Sequence, residues 1–311
     1  MKVVVLSGGV GGARFLRGLV EVVDPGEVTV IGNVGDDLEV LGLHVSPDLD
    51  SIVYTLAGLG DERRGWGRAG ETWNALAAAG ELGGETWFQL GDRDIGLHLV
   101  RTQALGWGEP LSAVTKRLAA ACGLEIVLLP ATDDRLRTWL ATPAGDLPFQ
   151  TWFVARGHRD DVDAIRFEGA ERATAAPGVL DALAAADVIL IAPSNPYVSI
   201  GPILAVSEIR QALARRRAPV VAVSPLVGGR AVKGPADRML ERLAGGTSPV
   251  HVAGCYAGLV DALLIDHADA WGCAAVEATG VRAVVTSTLM TDCRASRRLA
   301  ETAVEAVAVL S

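Results

Sequence analysis

Short β-branched runs alternate along this chain with longer Ala/Leu/Arg-rich segments of helical spacing, and no other feature constrains its fold as strongly. Apolar periodicity that switches between strand length and helix length is the pattern of βαβ units built on a parallel sheet. It predicts core strands at about residues 2–6, 28–32, 187–192, 219–224 and 282–286. Helices are predicted near residues 11–22, 49–59, 110–122, 178–185, 202–215, 236–244 and 292–309. Half of the 311 residues are apolar, enough for one large core or two modest ones.

Residues 124–172 break the rhythm. Runs at 137–142 and 149–155 flank a turn at 143–146, so a hairpin-containing α+β subdomain is expected there. The fold class that follows is doubly wound α/β, a Rossmann-like and mostly parallel sheet formed by residues 1–123 and 173–311, with residues 124–172 inserted.

Composition narrows the functions available. No apolar run approaches the ~20 residues of a membrane span, and the start of the chain lacks the pattern of a signal peptide, so a cytoplasmic protein without membrane contact is expected. Four scattered cysteines form no C-x-x-C pair and are expected to be reduced and structural. The net charge of −9 argues against a nucleic-acid partner, which needs clustered cations. Anionic small molecules stay open, because a few arginines or a metal ion reverse the sign of a pocket.

The first predicted strand runs into Ser7-Gly8-Gly9-Val10-Gly11-Gly12-Ala13-Arg14. Gly9, Gly11 and Gly12 let the backbone approach a ligand closely, and the helix that follows offers free N–H groups to an anion. No Gly-Lys-Ser/Thr follows, so this is not a P-loop. The dinucleotide fingerprint also fails: Arg14 stands at its third small position, and the second strand ends in Gly32-Asn33 rather than an acid.

Beyond the second strand lie Asp36, Asp37, Asp48 and Asp50, where open parallel sheets place their ligands. Four carboxylates beside a phosphate repel it unless a hard cation lies between, which points to Mg²⁺. Capping of a helix by Asp48 or Asp50 and a turn at Asp36-Asp37 are the plainer alternatives. The turn Gly91-Asp92-Arg93-Asp94 can present Arg93 to a phosphate, with His98 and Arg101 following on a helix. Trp66, Trp73 and Trp87 offer faces for a flat ring or simply fill the core. The Gly- and Arg-rich segment 60–74 reads as an ordered or closing loop. Ser194-Asn195 at another strand end offers a second anion contact or is a plain strand-to-helix turn, and Lys233, in a third such loop, reaches a diphosphate or is a solvated surface lysine.

Together these motifs resemble one family, the phospholactate transferases of coenzyme F(420) biosynthesis, and in particular their bacterial phosphoenolpyruvyl-using form. The similar stretches are 6–18, 33–37, 46–58, 64–74, 87–103, 128–135, 192–205, 224–237 and 289–292, in the family's order and across nearly the whole chain. The inserted region and Cys293-Arg294-Ala295 depart most from the relatives. The resemblance implies a donor in which a three-carbon acid is joined through a diphosphate to guanosine, and the riboflavin-like deazaflavin Fo as acceptor. The ribityl hydroxyl of Fo attacks the distal phosphorus and GMP leaves. By similarity Asp50 and Arg93 contact Fo; Gly9, Gly11, Gly12, Ser194 and Asn195 hold phosphates; Asp36, Asp37 and Asp48 serve Mg²⁺; Lys233 lies near the guanosine; and the protein is a homodimer. Asp50, Asp37 and Arg93 are thus the catalytic candidates, with Asp50 as general base. The alternative is a non-catalytic nucleotide-sugar-binding regulatory protein of the same fold, disfavoured because Asp36-Asp37 run into Leu38-Glu39-Val40 and the Gly91 turn is present. An oxidoreductase is disfavoured by the broken fingerprint.

Overall fold

A computed structural model of the chain describes residues 1–309. Its centre is a seven-stranded sheet of β1 (Val3–Ser7), β2 (Val28–Gly32), β3 (Val127–Pro130), β4 (Val188–Ile191), β5 (Val220–Val223), β6 (Ala262–Asp266) and β7 (Arg282–Thr286). Every pairing is parallel, in the order β3-β2-β1-β4-β5-β6-β7. Successive side chains of a strand face opposite sides, and both sides are covered. Val4, Leu6, Ile189 and Ile191 join the core on one face, while Val3, Val5, Val188 and Leu190 join the other. This doubly wound α/β sheet is the one the alternation predicts.

Strand order reverses between β1 and β4, and the crevice beyond their carboxyl ends is where such a sheet accepts ligands. Three helices frame that crevice on the β1–β2 side: α1 (Gly9–Leu19), α2 (Pro47–Leu56) and α3 (Asp92–Gly106). Helix α1 starts directly after the strand, at Gly9 rather than near residue 11.

Two strands of the main sheet escape the sequence reading. β6 is missing from it, and β3 falls in the stretch read as the head of the insertion. Both are short and rich in Leu, a good helix former, so strand pairing and burial override local preference. The predicted helix 202–215 is in fact two, Gly201–Ala205 and Ser207–Ala214, broken at the extended Val206.

The inserted region carries a three-stranded antiparallel sheet in which Arg137–Thr142 pairs with Gly145–Pro148 and with Ala164–Glu168. The expected second hairpin strand at 149–155 is corrected: Thr151–Ala155 forms a π-helical turn, and the partner strand precedes it. Phe149, Trp152 and Phe153 recur at i, i+3 and i+4, a spacing that gathers them on one helical face and would scatter them across a strand. Phe149 and Phe153 stack with centroids 5.3 Å apart. Leu140, Phe149 and Trp152 pack on Val198 and Met239, which ties the insertion to the rim of the main sheet.

Candidate functional site

The glycine turn after β1 is shaped by what crowds it. A Cβ on Gly8 would stand 2.6 Å from the Asp48 carboxylate, and one on Gly11 2.5 Å from the Pro193 carbonyl. Gly9 adopts φ +70, a left-handed conformation that side chains resist. Ser194, beyond the end of β4, locks the turn by donating its Oγ hydrogen to the Gly8 carbonyl at 2.7 Å. Next to it, Asn195 caps the following turn by accepting from the Tyr197 N–H at 2.9 Å. The two strand ends on either side of the switch point are thus joined, as the sequence expects of a shared pocket.

A cavity of about 500 Å³ opens there. It brings together most of the candidate residues: Gly9 and Gly11, Asp36, Asp48 and Asp50, Ser194 and Asn195, and Lys233. Gly12, Asp37 and Arg93 lie outside its lining. A Cβ on Gly12 would meet the Ser7 and Ser194 side chains, so Gly12 serves the close packing of α1 on β1 and β4. Asp37 is buried one residue behind Asp36, where its Oδ2 accepts from Ser46 Oγ at 2.8 Å and lies 3.0 Å from His44 Nε2. Arg93 is exposed in the first turn of α3, its guanidinium beside Gly70 of the loop 60–74.

Asp36 and Asp48 face each other's charge under cover. Burial, reinforced by the Asp48 carboxylate, pushes the Asp36 carboxyl well above its ordinary range. Burial also pushes Asp48 up to about 6, against hydrogen bonds from Asn33 and the Gly9 N–H and with added repulsion from Asp37 and Asp50. Asn33 Nδ2 donates to Asp48 Oδ2 at 2.9 Å. Oδ1 of Asp36 and Oδ1 of Asp37 are buried without a hydrogen-bond partner. Crowded carboxylates with unsatisfied oxygens are suited to a hard cation, which would replace their mutual repulsion with attraction. Among the described residues no group of three or more His, Cys, Asp or Glu could hold a metal ion by itself, but Mg²⁺ needs only one or two carboxylates when a substrate supplies the remaining oxygens.

Asp50 is held differently. Both of its oxygens accept from the Arg101 guanidinium, Oδ2 at 3.0 Å from Nη1 and Oδ1 from Nη2. Burial alone would lower the pKa of Arg101, but the charge and hydrogen bonds of Asp50 outweigh it and raise it. His98 stands between two acids, its Nδ1 3.8 Å from Asp50 and its Nε2 3.2 Å from Asp94. The Tyr54 hydroxyl donates to Asp94 Oδ1. Burial, followed by the charges of Asp50 and Asp94, drives the Tyr54 phenol far above its usual range, so it remains a donor at any working pH. Burial would also raise Asp94, yet the hydrogen bond and charge of His98, followed by the Tyr54 bond, hold it below the usual carboxylate range.

The loop 60–74 borders the cavity, which Trp66 and Gly67 help to line. Arg64 lies over both Trp66 and Trp73, with its guanidinium carbon 5.0 and 5.1 Å from the ring centroids. The far end of the loop is pinned to α3, because Glu71 accepts the N–H groups of Arg93 and Asp94 at 2.8 and 2.9 Å. Trp87 points away to Glu85, and its neighbour Phe88 lines the cavity instead.

Sequence reasoning passed over Arg14, Tyr54, Phe149, Gln150 and Phe153, all of which line the cavity. Signals existed for some of them. Tyr54 follows Asp50 by four residues, one turn along α2, and Asp94, His98 and Arg101 recur at i, i+4 and i+7 along one face of α3. The aromatics of the insertion carry helical spacing but no hint of which surface they meet.

Comparison with known proteins gives a consistent set of likenesses. A family model described as 2-phospho-L-lactate transferase CofD matches residues 3–298. A phosphoenolpyruvate transferase of Streptomyces griseus subsp. griseus is 47% identical, with 98% of each chain covered. One of Kitasatospora aureofaciens is 48% identical, with 97% of each chain covered, and one of Mycobacterium bovis is 40% identical over 96% of each. A crystal structure of protein BH3568 from Bacillus halodurans superposes with a TM-score of 0.65 and covers 98% of this chain and 99% of that one. At 17% identity, that likeness concerns the fold alone.

Proposed function

The chain belongs to the 2-phospho-L-lactate transferase CofD family, whose similar members are phosphoenolpyruvate transferases, and from that premise we propose that it transfers a phosphoenolpyruvyl or 2-phospholactyl group to Fo in coenzyme F(420) biosynthesis. The donor is the three-carbon acid joined through a diphosphate to guanosine. The observation that carries this reading is one cavity whose wall combines a glycine turn, a Ser-Asn strand end and paired buried carboxylates.

In the proposed reaction the terminal ribityl oxygen of Fo bonds to the phosphorus distal to guanosine. The bond from that phosphorus to the bridging oxygen breaks, GMP departs with the bridging oxygen, and the hydroxyl proton is released. Such transfers depend on alignment and charge neutralisation more than on a covalent nucleophile. The N–H groups of the glycine turn and the Ser194-Asn195 end hold phosphate oxygens. Asp50, held and aimed by Arg101, accepts the hydrogen bond of the attacking hydroxyl and is the proposed base; Arg93 closes on Fo from the rim. Asp36 and Asp48, backed by Asp37, would hold Mg²⁺, which when bound supplies positive charge to the phosphoryl oxygens.

Purified protein incubated with Fo, Mg²⁺ and each guanylated donor tests the reading by mass spectrometry. A conjugate of Fo with one acid phosphate, formed in step with GMP, is the expected result. Absence of both products with every donor overturns it. Asp50→Asn is expected to lower turnover at least a hundredfold, the scale of a lost general base; a loss of only a few-fold removes Asp50 from that role.

A further inference from the structure

His98 is buried on α3 and borders the cavity, yet the proposed reaction gives it no part. Arg101 follows it by three residues, so the two side chains meet on one face of the helix. Nη1 of Arg101 carries two hydrogens and serves both Asp50 Oδ2 at 3.0 Å and His98 Nδ1 at 3.2 Å. A guanidinium only donates, so Nδ1 must accept with its lone pair and the ring hydrogen belongs on Nε2. Nε2 lies 3.2 Å from Asp94 Oδ1, the oxygen to which the Tyr54 hydroxyl donates. These contacts close a circuit between α2 and α3, from Asp50 through Arg101, His98 and Asp94 to Tyr54, one helical turn beyond Asp50.

We propose that His98, as the neutral tautomer with its hydrogen on Nε2, is a positioning residue for the transfer: it braces the Arg101 guanidinium and through it aims the Asp50 carboxylate into the cavity. Arg101 has few other holds. Its Nε is buried without a hydrogen-bond partner, and among the described residues its two Nη groups bond only to Asp50 and His98. Nδ1 of His98 is therefore the one acceptor outside the ion pair that sets the plane of the guanidinium. The same geometry rules out a proton relay from Asp50 to His98, since Nδ1 is 3.8 Å from that carboxylate, beyond a hydrogen bond, and its lone pair is engaged.

The role rests on the proposed transferase reading, and a readout independent of transfer separates the two. Nitrogen-15 NMR of the ligand-free protein, with the His98 signals identified by their loss in His98→Asn, is expected to show a bare Nδ1 and a protonated Nε2 at neutral pH. A hydrogen on Nδ1 overturns the brace. In the transfer assay His98→Leu is expected to lower kcat at least tenfold while KM for the guanylated donor stays within threefold, because aim is lost and donor binding is kept. His98→Asn, whose amide oxygen stands in for Nδ1, should recover most of that loss; His98→Gln, whose amide reaches toward Nε2, should not. Equal losses in the Asn and Gln variants, or none in His98→Leu, overturn the positioning role. In an Asp50→Asn background His98→Leu should cost less than threefold more, and fully additive losses overturn an action through Asp50. A bare Nδ1 in a wild type that transfers nothing to Fo upholds the brace and rejects the transferase reading. Transfer to Fo that is indifferent to His98→Leu does the reverse.

Discussion

At the α2–α3 end of the cavity Asp50 is gripped by Arg101 and Asp94 is bonded to Tyr54, with His98 between the two acids. At the α1 end Arg14 and Lys233 face the same space, and neither meets a carboxylate among the described residues. The first end pairs its charges from within, so its carboxylates are held before any ligand arrives. The second is electrostatically unfinished, so an anionic ligand gains there what no protein group supplies. A site built this way fixes the contacts of one end in advance and leaves the charge of the other to an incoming ligand.

The contrast breaks first at Arg101. Arg101→Leu leaves the Asp50 carboxylate buried without its partner and is expected to lower stability by about 3–5 kcal/mol in denaturant titration, with loss of turnover. Adding Asp50→Asn should restore part of that stability without restoring activity. A loss below about 1 kcal/mol for Arg101→Leu would show that this end is not held together by its ion pair.

The next effect is a pH dependence. In metal-free buffer the folded chain keeps the Asp48 proton up to about pH 6, whereas an unfolded carboxyl releases it near 3.8. The folded state therefore binds more protons in that interval, and stability falls as pH rises from about 4 to 6. Asp36 acts in the same direction. Asp48→Asn should make the fall shallower and gain on the order of 2–3 kcal/mol at neutral pH, at about 1.4 kcal/mol per unit. Added Mg²⁺ should narrow the gap between variant and wild type if the carboxylates hold it. Equal slopes in the two proteins would remove Asp48 from the account.

The smallest change is expected at the other end. Arg14→Gln without ligand should leave stability within about 0.5 kcal/mol of wild type, since a partly exposed cation with no ionic partner is lost. A destabilisation rivalling that of Arg101→Leu would erase the distinction between the two ends.

Several strands of the main sheet were readable because β-branched runs such as Val3-Val4-Val5 and Val220-Val221 state their structure locally. β6 was not, because Ala262-Leu263-Leu264-Ile265 suits a buried helix as well as a strand. The acidic positions were legible as a group, since their closeness in sequence to a strand end already places them at the crevice of the sheet. Their division of labour was not. Nothing local says that Asp37 turns inward to Ser46 and His44, while Asp50 meets an arginine 51 residues away.

The amino-acid sequence by itself determined the alternation that winds the sheet, the glycine turn that admits a ligand and the acids beyond the second strand, because each depends on spacing within a few residues. Only the tertiary structure decided that Arg101 secures Asp50, that the aromatics of the insertion reach the cavity, and that Arg14 and Lys233 line one cavity without a carboxylate partner among the described residues. Those relations join residues far apart in the chain, and burial and charge act through space, whichever residues the sheet brings together.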